Sequence, residues 1–572
     1  MKHKRHGRLL AAAAACLMML AVPFTAMPAL AEDDDNTITD NVVTYEKIKG
    51  GVQITAVADG ATKLDLPDQI AGYPIIGVAD GAFTQCSTIK SVKFASGLTS
   101  IGQNAFANCY ALSEVTLPDT VESVGMGAFA YCISLESLTL PDSVTSLGAY
   151  ALAYCFSLNS VKLPAALKEL PTHLLDYDGG LKSLELPEGL TSLASLSIVA
   201  CDQVPALHIP ASVTDYGDMA VLSCSAIREI TVGAGNTALK TQDGVLYSAD
   251  GQRLLLYPAG SEQTSYAVPE GTAAIAPYAF SGAGSIETVT LPQSITSLGD
   301  GAFADCSALS SFDYPKNLDS IGSSVFADCH ALKSFSIPEG VKSLGDFAFF
   351  GCDSLEQVTI PDSVTSIGEE SFYLCKALTS LTLPQSLTEI GTAAFCGCTG
   401  VKTVTVPDSV TSIGDYAFGY QPAEGDSEDG TQAEPTLTAD FTLKGAPRSA
   451  AKDYAANFNV KFSQIGVDTR TIGLIGLLVA AVLALIVVIR MLLLKKKTAP
   501  ETGTANVPKP EEEYDENYTS ILGDDEDGDP YDRSYGFTVE DADETEYTDF
   551  AEESENSENS GNSENSGEKP EE

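Results

Sequence analysis

The sequence predicts a solenoid of about 14 stacked repeats, followed by one membrane-spanning helix and a disordered acidic tail. Three observations carry this prediction. Cysteine recurs every 23 residues, a large apolar residue recurs three positions before it, and one long uncharged run lies near the C-terminus. A fixed period of 20 to 50 residues is typical of a stacked repeat protein, because each unit buries its apolar face only against its neighbours.

The period appears as two columns of residues. The cysteine column is Cys86, Cys109, Cys132, Cys155, Cys201, Cys224, Cys306, Cys329, Cys352, Cys375 and Cys398. The apolar column is Phe83, Phe106, Phe129, Leu152, Leu175, Ile198, Val221, Phe280, Phe303, Phe326, Phe349, Phe372, Phe395 and Phe418. Asp178 and Ala283 stand in the cysteine column where the pattern is weakest. Seven units therefore precede an interruption, and seven follow it.

A single unit, LSEVTLPDTVESVGMGAFAYCIS from Leu112, shows how each repeat is built. Apolar and polar residues alternate around Val115, which predicts a short half-buried strand that Pro118 ends. Strands of successive units are expected to pair in parallel on one face. The return side, residues 121–130, is predicted to consist of turns or a short helix, with Gly125 where the backbone turns sharply.

The leucines, the Leu-Pro-Asp turn, the Ile-Gly and Ala-Phe pairs and the cysteine recur in phase from about residue 78 to 418. This combination resembles the BspA-type, or treponemal-type, leucine-rich repeat of bacterial surface proteins. The resemblance implies an N-terminal cap, a closing strand, helix and strand, and a role in adhesion. The periodicity alone indicates only a scaffold.

The two ends of the chain predict a membrane protein. Residues 1–31 have a basic start, an apolar run and Ala29-Leu30-Ala31, which is typical of a secretory signal peptide. Residues 472–494 are long and apolar enough to cross a bilayer, and Lys495, Lys496 and Lys497 follow on the predicted cytoplasmic side. A buried helix of a soluble domain is the alternative. Residues 498–572 hold 26 acidic residues against 3 basic ones, a net charge of −23, and are predicted to be disordered.

These features divide the chain into nine predicted segments. The repeats are expected outside the cell and the tail inside it. The segments are a signal peptide (1–31), an N-terminal cap (32–78), repeat block 1 (79–232), a hairpin-containing insert (233–277), repeat block 2 (278–420), a linker (421–435), a C-terminal cap (436–466), a transmembrane helix (472–494) and the cytoplasmic tail (498–572).

The cysteine column is predicted to be a buried, reduced ladder, because neighbouring side chains run parallel rather than toward each other. A disulfide framework, which is usual in a secreted chain rich in cysteine, is the alternative. Cys396 lies off the column and is expected to be an exposed thiol.

The sequence predicts no catalytic residues, cofactor or metal site, and we do not expect an enzyme. The mature chain has three histidines in different repeats, and Cys396-Gly397-Cys398 is too short for a zinc site. The recurrent aspartate after proline could suggest calcium, but a turn-forming role explains it. The net charge of −46 makes nucleic acid an unfavourable partner.

The predicted function is adhesion or protein recognition, with an extracellular protein or matrix ligand. A structural spacer, or a receptor that signals through the tail, is the alternative. The candidate binding residues are the outward positions of the strands, and large aromatic side chains and arginine are absent from them, so the contact patch either lies elsewhere or works through many weak contacts. The outward positions are Thr116, Thr139, Lys162, Glu185, His208, Thr231, Thr290, Asp313, Ser336, Thr359, Thr382 and Thr405.

Overall fold

A computed structural model describes residues 37–40, 42–423, 434–466 and 469–496. The predicted signal peptide, most of the predicted linker and the predicted acidic tail lie outside these residues. Everything below concerns the described part of the chain.

The predicted solenoid is confirmed, and its units stack through parallel strands. Each residue pairs with the residue 23 positions later, as Leu138 does with Val161. Within a front strand the middle side chain is buried and its neighbours are exposed, as for Val115 between Glu114 and Thr116. The front strands are Lys63–Leu66, Ser91–Phe94, Glu114–Thr116, Ser137–Thr139, Ser160–Lys162, Ala206–Ile209, Glu229–Val232, Ser265–Ala267, Thr288–Thr290, Ser311–Phe312, Ser334–Ser336, Gln357–Thr359, Thr403–Thr405, Thr442–Gly445 and Lys461–Gln464.

The return side consists of turns and a second parallel ladder, and residues 42–423 contain no helix there. Two-residue strands form this ladder, because successive units lie too close for a helix. A Cβ added at Gly125 would lie 2.6 Å from the backbone nitrogen of Gln103 in the preceding unit. Close approach, rather than a sharp turn, therefore requires this glycine. The second-ladder strands are Ser100–Ile101, Ser123–Val124, Ser146–Leu147, Glu169–Leu170, Ser192–Leu193, Asp215–Tyr216, Ala274–Ile275, Ser297–Leu298, Ser320–Ile321, Ser343–Leu344, Ser366–Ile367, Glu389–Ile390 and Ser412–Ile413.

A third short ladder replaces the turn before the cysteine column in three units. It pairs Leu175–Asp176 with Ile198–Val199, and Ile198–Val199 with Val221–Leu222. These are units whose apolar column carries an aliphatic residue instead of phenylalanine. The residues just before the cysteine column, here called the corner, are therefore extended in these three units, whereas they form a turn in the phenylalanine units.

The apolar column forms the centre of the core, and all 14 of its residues are buried. Where the column is aromatic, the rings stack along the solenoid. The ring centroids of Phe349, Phe372, Phe395 and Phe418 are 5.1 to 5.2 Å apart and nearly parallel. This spacing matches the distance between neighbouring strands of a sheet.

Antiparallel strands cover the start of the solenoid and the interruption. Thr37–Asp40, Val43–Ile48 and Gly51–Val57 pair at the N-terminal end, and Gln69–Ile70 pairs with Tyr73–Val78. In the insert, Leu239–Gln242, Val245–Ser248 and Arg253–Leu256 form an antiparallel meander whose last strand pairs in parallel with Ala274–Ile275. The insert thus continues the ladder of the repeats.

The C-terminal end is closed by a strand pair and a helix. Tyr420–Gln421 pairs with Thr436–Leu437. Helix α1, Ala450–Asn457, connects Thr442–Gly445 to Lys461–Gln464, which pair in parallel with each other, and it packs against both strands. The Tyr454 hydroxyl donates to the Phe418 carbonyl oxygen at 2.9 Å, which fixes the helix on the last ring of the stack. A long helix, α2, then spans Thr469–Lys496. Its segment Ile472–Leu493 has a mean hydropathy of 3.2 and is long enough to span a membrane.

Candidate functional site

The predicted binding residues lie side by side on the front strands. Eleven of the twelve are exposed, and Thr231 is half-buried. Parallel pairing sets their spacing, and the Nδ1 atom of His208 lies 2.8 Å from the Oγ1 atom of Thr231 in the next unit. The side chains present mostly hydroxyl groups, which both donate and accept hydrogen bonds. Their role in binding stays a prediction.

The front ladder is interrupted at two of these positions. Glu185 and Thr382 lie in units where no front strand forms within the described residues. The candidate residues therefore do not form one continuous sheet surface.

The cysteine column is a second regular feature, and it is structural. In ten units the thiol donates to the carbonyl oxygen of the apolar-column residue one unit earlier, as Cys352 does to Phe326 at 3.1 Å. Burial raises the pKa of seven of these thiols, that of Cys109 to about 12. The other six are Cys132, Cys155, Cys306, Cys329, Cys352 and Cys375. A buried thiol that stays protonated is a poor nucleophile and metal ligand. The twelve cysteines in the described residues are free.

The expectation that Cys396 is an exposed thiol is wrong. Its side chain is fully buried, and burial raises its pKa to about 12. Cys396 directly follows Phe395, and other units place small buried residues such as Ala107, Ala304 and Ala327 at this position. Cys86, in the first unit, is the half-buried member of the column, because no earlier phenylalanine unit covers it.

Aspartates link successive units at the turns. The Oδ1 atom of Asp142 accepts the backbone N–H of Ala165, and that of Asp362 accepts the N–H of Gln385, both at 3.2 Å. Asp300 accepts the N–H of Ser323 in the same way at 2.9 Å. These carboxylates therefore accept hydrogen bonds from the backbone of the next repeat. Within the described residues, no group of three or more His, Cys, Asp or Glu side chains is placed to hold a metal ion.

The three histidines of the described residues lie in separate units, as their sequence positions predict. His173 lies with its Nδ1 atom 2.9 Å from Asp176 Oδ2, and His330 lies 3.4 Å from Asp353. His208 is on the front ladder. The fold does not bring these rings together.

A row of tyrosines beside the cysteine column was missed by the sequence reasoning. Tyr131, Tyr154 and Tyr177 each stand one residue before a cysteine-column position and stack on one another. Their period of 23 was visible in the sequence. It was overlooked because this position lies outside the strand alternation by which outward residues were chosen.

Comparison with known proteins identifies the repeats. Residues 62–181, 176–243, 259–379 and 320–423 match the family described as BspA type leucine-rich repeat region. These segments cover more than half of the chain. A search of curated proteins found no match.

The chain is similar to several solved structures. A leucine-rich cell surface protein from Faecalibacterium prausnitzii is 31% identical, with a TM-score of 0.56, and the match covers 63% of this chain and 96% of that one. The pneumococcal vaccine antigen PcpA is 18% identical, with a TM-score of 0.44, over 76% of this chain and 100% of that one. A leucine-rich repeat protein from Eubacterium ventriosum is 23% identical, with a TM-score of 0.43, over 68% and 97%. The chain belongs to the family of BspA-type leucine-rich repeat proteins.

Proposed function

We propose that this protein is a cell-surface recognition protein whose extracellular solenoid binds a protein or matrix ligand. Its predicted signal peptide would direct the repeats across the membrane, and helix α2 would anchor them. The predicted acidic tail would then lie in the cytoplasm. Family membership and the similarity to a leucine-rich cell surface protein support the proposal.

One observation carries it: the solenoid presents exposed polar side chains at a fixed repeat spacing, on front strands that are interrupted at Glu185 and Thr382 and that pack on a continuous apolar core. Binding to such a preorganised surface costs little conformational entropy. The repeats contain no arrangement that favours an enzyme over a binding scaffold, since the buried thiols and the exposed turn aspartates are hydrogen-bonded to the backbone of neighbouring units.

The topology is tested with protease on intact cells. The expected result is loss of the repeats and survival of a membrane-protected fragment that begins near Thr469 and contains the acidic tail. Release of tail peptides into the medium would contradict the orientation.

The recognition role is tested by adherence. Cells that display the full chain should attach to immobilised extracellular matrix or host-surface protein, and shaving the repeats with protease should abolish attachment. Equal attachment of shaved and unshaved cells would leave a spacer as the better account.

A further inference from the structure

The solenoid concentrates its exposed apolar side chains in one place. Between the caps, in residues 79–418, the exposed large hydrophobic side chains are four, and all belong to three adjacent units: Tyr110, Met126, Tyr131 and Phe156. Isolated exposed apolar residues are ordinary, but a cluster of them on a stable protein indicates a contact surface. Tyrosine is also enriched among the residues that dominate binding energy.

The rings in this region are held in fixed positions. Tyr131 stacks on Tyr154 with ring centroids 4.4 Å apart, Tyr154 stacks on Tyr177 at 5.2 Å, and Phe156 meets the edge of Tyr154 at 6.3 Å. The backbone N–H of Tyr131 donates to the Ala153 carbonyl oxygen of the next unit at 2.9 Å. The row is thus built into the repeat register rather than laid on a mobile loop.

The stack is closed at one end and open at the other. Tyr177 packs against a small apolar cluster of Val199, Ala200 and Leu222. At the opposite end the preceding unit offers Asn108 in place of a ring, and 41% of Tyr131 is exposed. One face of the Tyr131 ring therefore has no ring partner among the described residues.

The backbone under these rings is one that tyrosine does not favour. Tyr131, Tyr154 and Tyr177 have φ values of 61°, 64° and 60°. The repeat imposes this conformation, because other units also have a positive φ at the same position, whether it is filled by Gln85, Asn108, Leu374 or a glycine. The tyrosine rings are therefore held by the backbone geometry that all these units share.

The charge around the rings favours a cation. Residues 94–161, which hold the exposed rings, contain five acidic residues and no Lys, Arg or His. Of these carboxylates, Asp142 is paired with Lys162. Behind the stack lies the buried Asp176, whose Oδ2 atom is 2.9 Å from His173 Nδ1 and whose Oδ1 atom has no hydrogen-bond partner in the described part of the chain. Burial, together with the carboxylates of Asp176 and Asp202, raises the pKa of Tyr177 to about 12.

We infer that the surface formed by Tyr110, Tyr131, Tyr154 and Phe156, here called the tyrosine patch, binds a segment of a protein partner that presents arginine or lysine. The cation would lie over the face of Tyr131 that is turned away from Tyr154, on the side where the preceding unit places Tyr110 and Asn108. An apolar part of the same segment would contact Phe156 beside Tyr154. Aromatic faces attract such cations, and the acidic surroundings add to the attraction. This inference rests on the proposed recognition role and assigns it a place other than the front ladder.

The test uses the full chain in detergent and a photoreactive peptide of alternating arginine and glycine. Crosslinked positions are mapped by mass spectrometry. We expect crosslinks at the tyrosine patch, together with crosslinks to the acidic tail that serve as an internal reference. A matched peptide with glutamate in place of arginine should not label the patch.

The variant Tyr131→Asn with Phe156→Ser borrows residues that other units carry at the same positions, Asn108 and Ser307. It should reduce crosslinking at the patch by about tenfold or more, the loss expected for a dominant contact, and leave tail labelling unchanged. Tyr73→Ala is the matched control, because Tyr73 is also 41% exposed but lies in the N-terminal cap. It should change nothing. Tyr131→Phe, which keeps the ring, should bind like the native chain.

Three outcomes would overturn the inference: patch labelling unchanged in the double variant, no patch labelling above that of the glutamate peptide, or a photoreactive chitin oligosaccharide that labels the patch in place of the peptide. The last would indicate a glycan partner. Adherence of cells that survives the double variant would leave the recognition role standing and contradict only this site. A change in the circular dichroism spectrum is the check on folding, and the single variant Tyr131→Asn then replaces the double one.

Discussion

Two stretches of the solenoid have the same 23-residue strand register but carry different residues in the apolar column. In the units from Phe280 to Phe418 the apolar column is all phenylalanine, and thiol-to-carbonyl distances for Cys306 through Cys398 are 3.1 to 3.3 Å. In the units from Leu152 to Val221 the column is aliphatic, and the thiols of Cys201 and Cys224 lie 3.8 Å from their carbonyl oxygens. The strands pair in parallel in both stretches, whether the column residue is phenylalanine or aliphatic. Backbone hydrogen bonding between units therefore defines the fold, and the column residues determine how tightly each unit is packed.

The corner before the cysteine column differs in the same two stretches. The regular units place Asp305, Asp328, Leu374 or glycine there. Tyr131, Tyr154 and Tyr177 occupy this position in three consecutive units, from the Phe129 unit to the Leu175 unit, and stack on one another outside the apolar column. The inner stack of rings ends at Phe129, so this outer stack begins where the aromatic part of the column ends.

The largest expected effect is a difference in the rates at which individual cysteines react with a thiol reagent. In the folded chain only Cys86 should react readily with a bulky thiol reagent. The other described thiols, Cys396 included, should react on the order of a thousandfold more slowly, because the reagent reaches them only when the protein unfolds. In mild denaturant Cys201 and Cys224 should react before Cys329 and Cys352, because their units are less tightly packed. The measurement is mass spectrometry of each cysteine peptide over time.

Cys86→Ser is the control, and it should remove the fast reaction. Fast labelling of Cys396 in the native chain would contradict the burial described above. Stable disulfides within the column would contradict the ladder itself.

Truncation in the regular stack should have the next largest effect. Phe349 is fully buried between Phe326 and Phe372, so Phe349→Ala should cost about 3 to 5 kcal/mol. Because each unit contacts only its neighbours, hydrogen exchange should accelerate first near residue 349. Phe349→Leu, which imitates Leu152, should cost much less. Thr359→Ala on the front ladder should change stability by about 0.5 kcal/mol or less.

If Thr359→Ala unfolded the protein while Phe349→Ala left hydrogen exchange unchanged, the assignment of inside and outside would be reversed.

The sequence was sufficient for these inward and outward assignments, because they follow from a strict period and a strand alternation of two. It was not sufficient to predict the backbone conformation of the corner before the cysteine column. Whether residues before the cysteine column turn, as at Tyr131, or extend, as at Ile198–Val199, depends on contacts with the next unit. The burial of Cys396 was missed although the period contains it. Cys396 directly follows a phenylalanine of the apolar column, as the buried residues Ala107, Ala130, Ala304 and Ala327 do, but only the cysteine column was considered. The second ladder was read as turns or a short helix because a two-residue strand leaves no alternation to detect.

Restoring the column in the irregular stretch should stabilise it. Asp178 is fully buried in a cysteine position, and its Oδ2 atom has no hydrogen-bond partner among the described residues. Burial raises the pKa of this carboxyl well above its usual value. The native chain therefore loses stability as pH rises above the ordinary range of aspartate, and Asp178→Cys should gain about 1 to 3 kcal/mol at pH 7, with less gain at acidic pH. Denaturant midpoints at both pH values measure the difference.

Ala283→Cys fills the other vacancy of the column and removes no charge, so it should shift the midpoint little at either pH. An Asp178→Cys chain that is less stable than the native one at pH 7 would show that the hydrogen bond from the Cys155 N–H to Asp178, 2.8 Å long, matters more than the buried charge.

The smallest expected effect lies at the corner of the regular units. Burial raises the pKa of Asp328 to about 6, the nearby His330 lowers it, and the carboxylates of Asp305 and Asp353 raise it. A carboxyl whose folded pKa is raised stabilises the fold below the unfolded pKa, and that stability is lost as pH rises toward about 6.

Asp328→Asn keeps a residue that tolerates the left-handed backbone, as Asn108 does, and it cannot ionise. The variant should match the native chain at pH 4 and exceed it by about 1 kcal/mol at pH 7, a value reduced by the partial exposure of the group to solvent. Denaturant midpoints of the two chains between pH 4 and pH 7 measure this, and a difference that stays constant across that range would show that the corner carboxyl does not distinguish the regular units from the tyrosine-bearing ones.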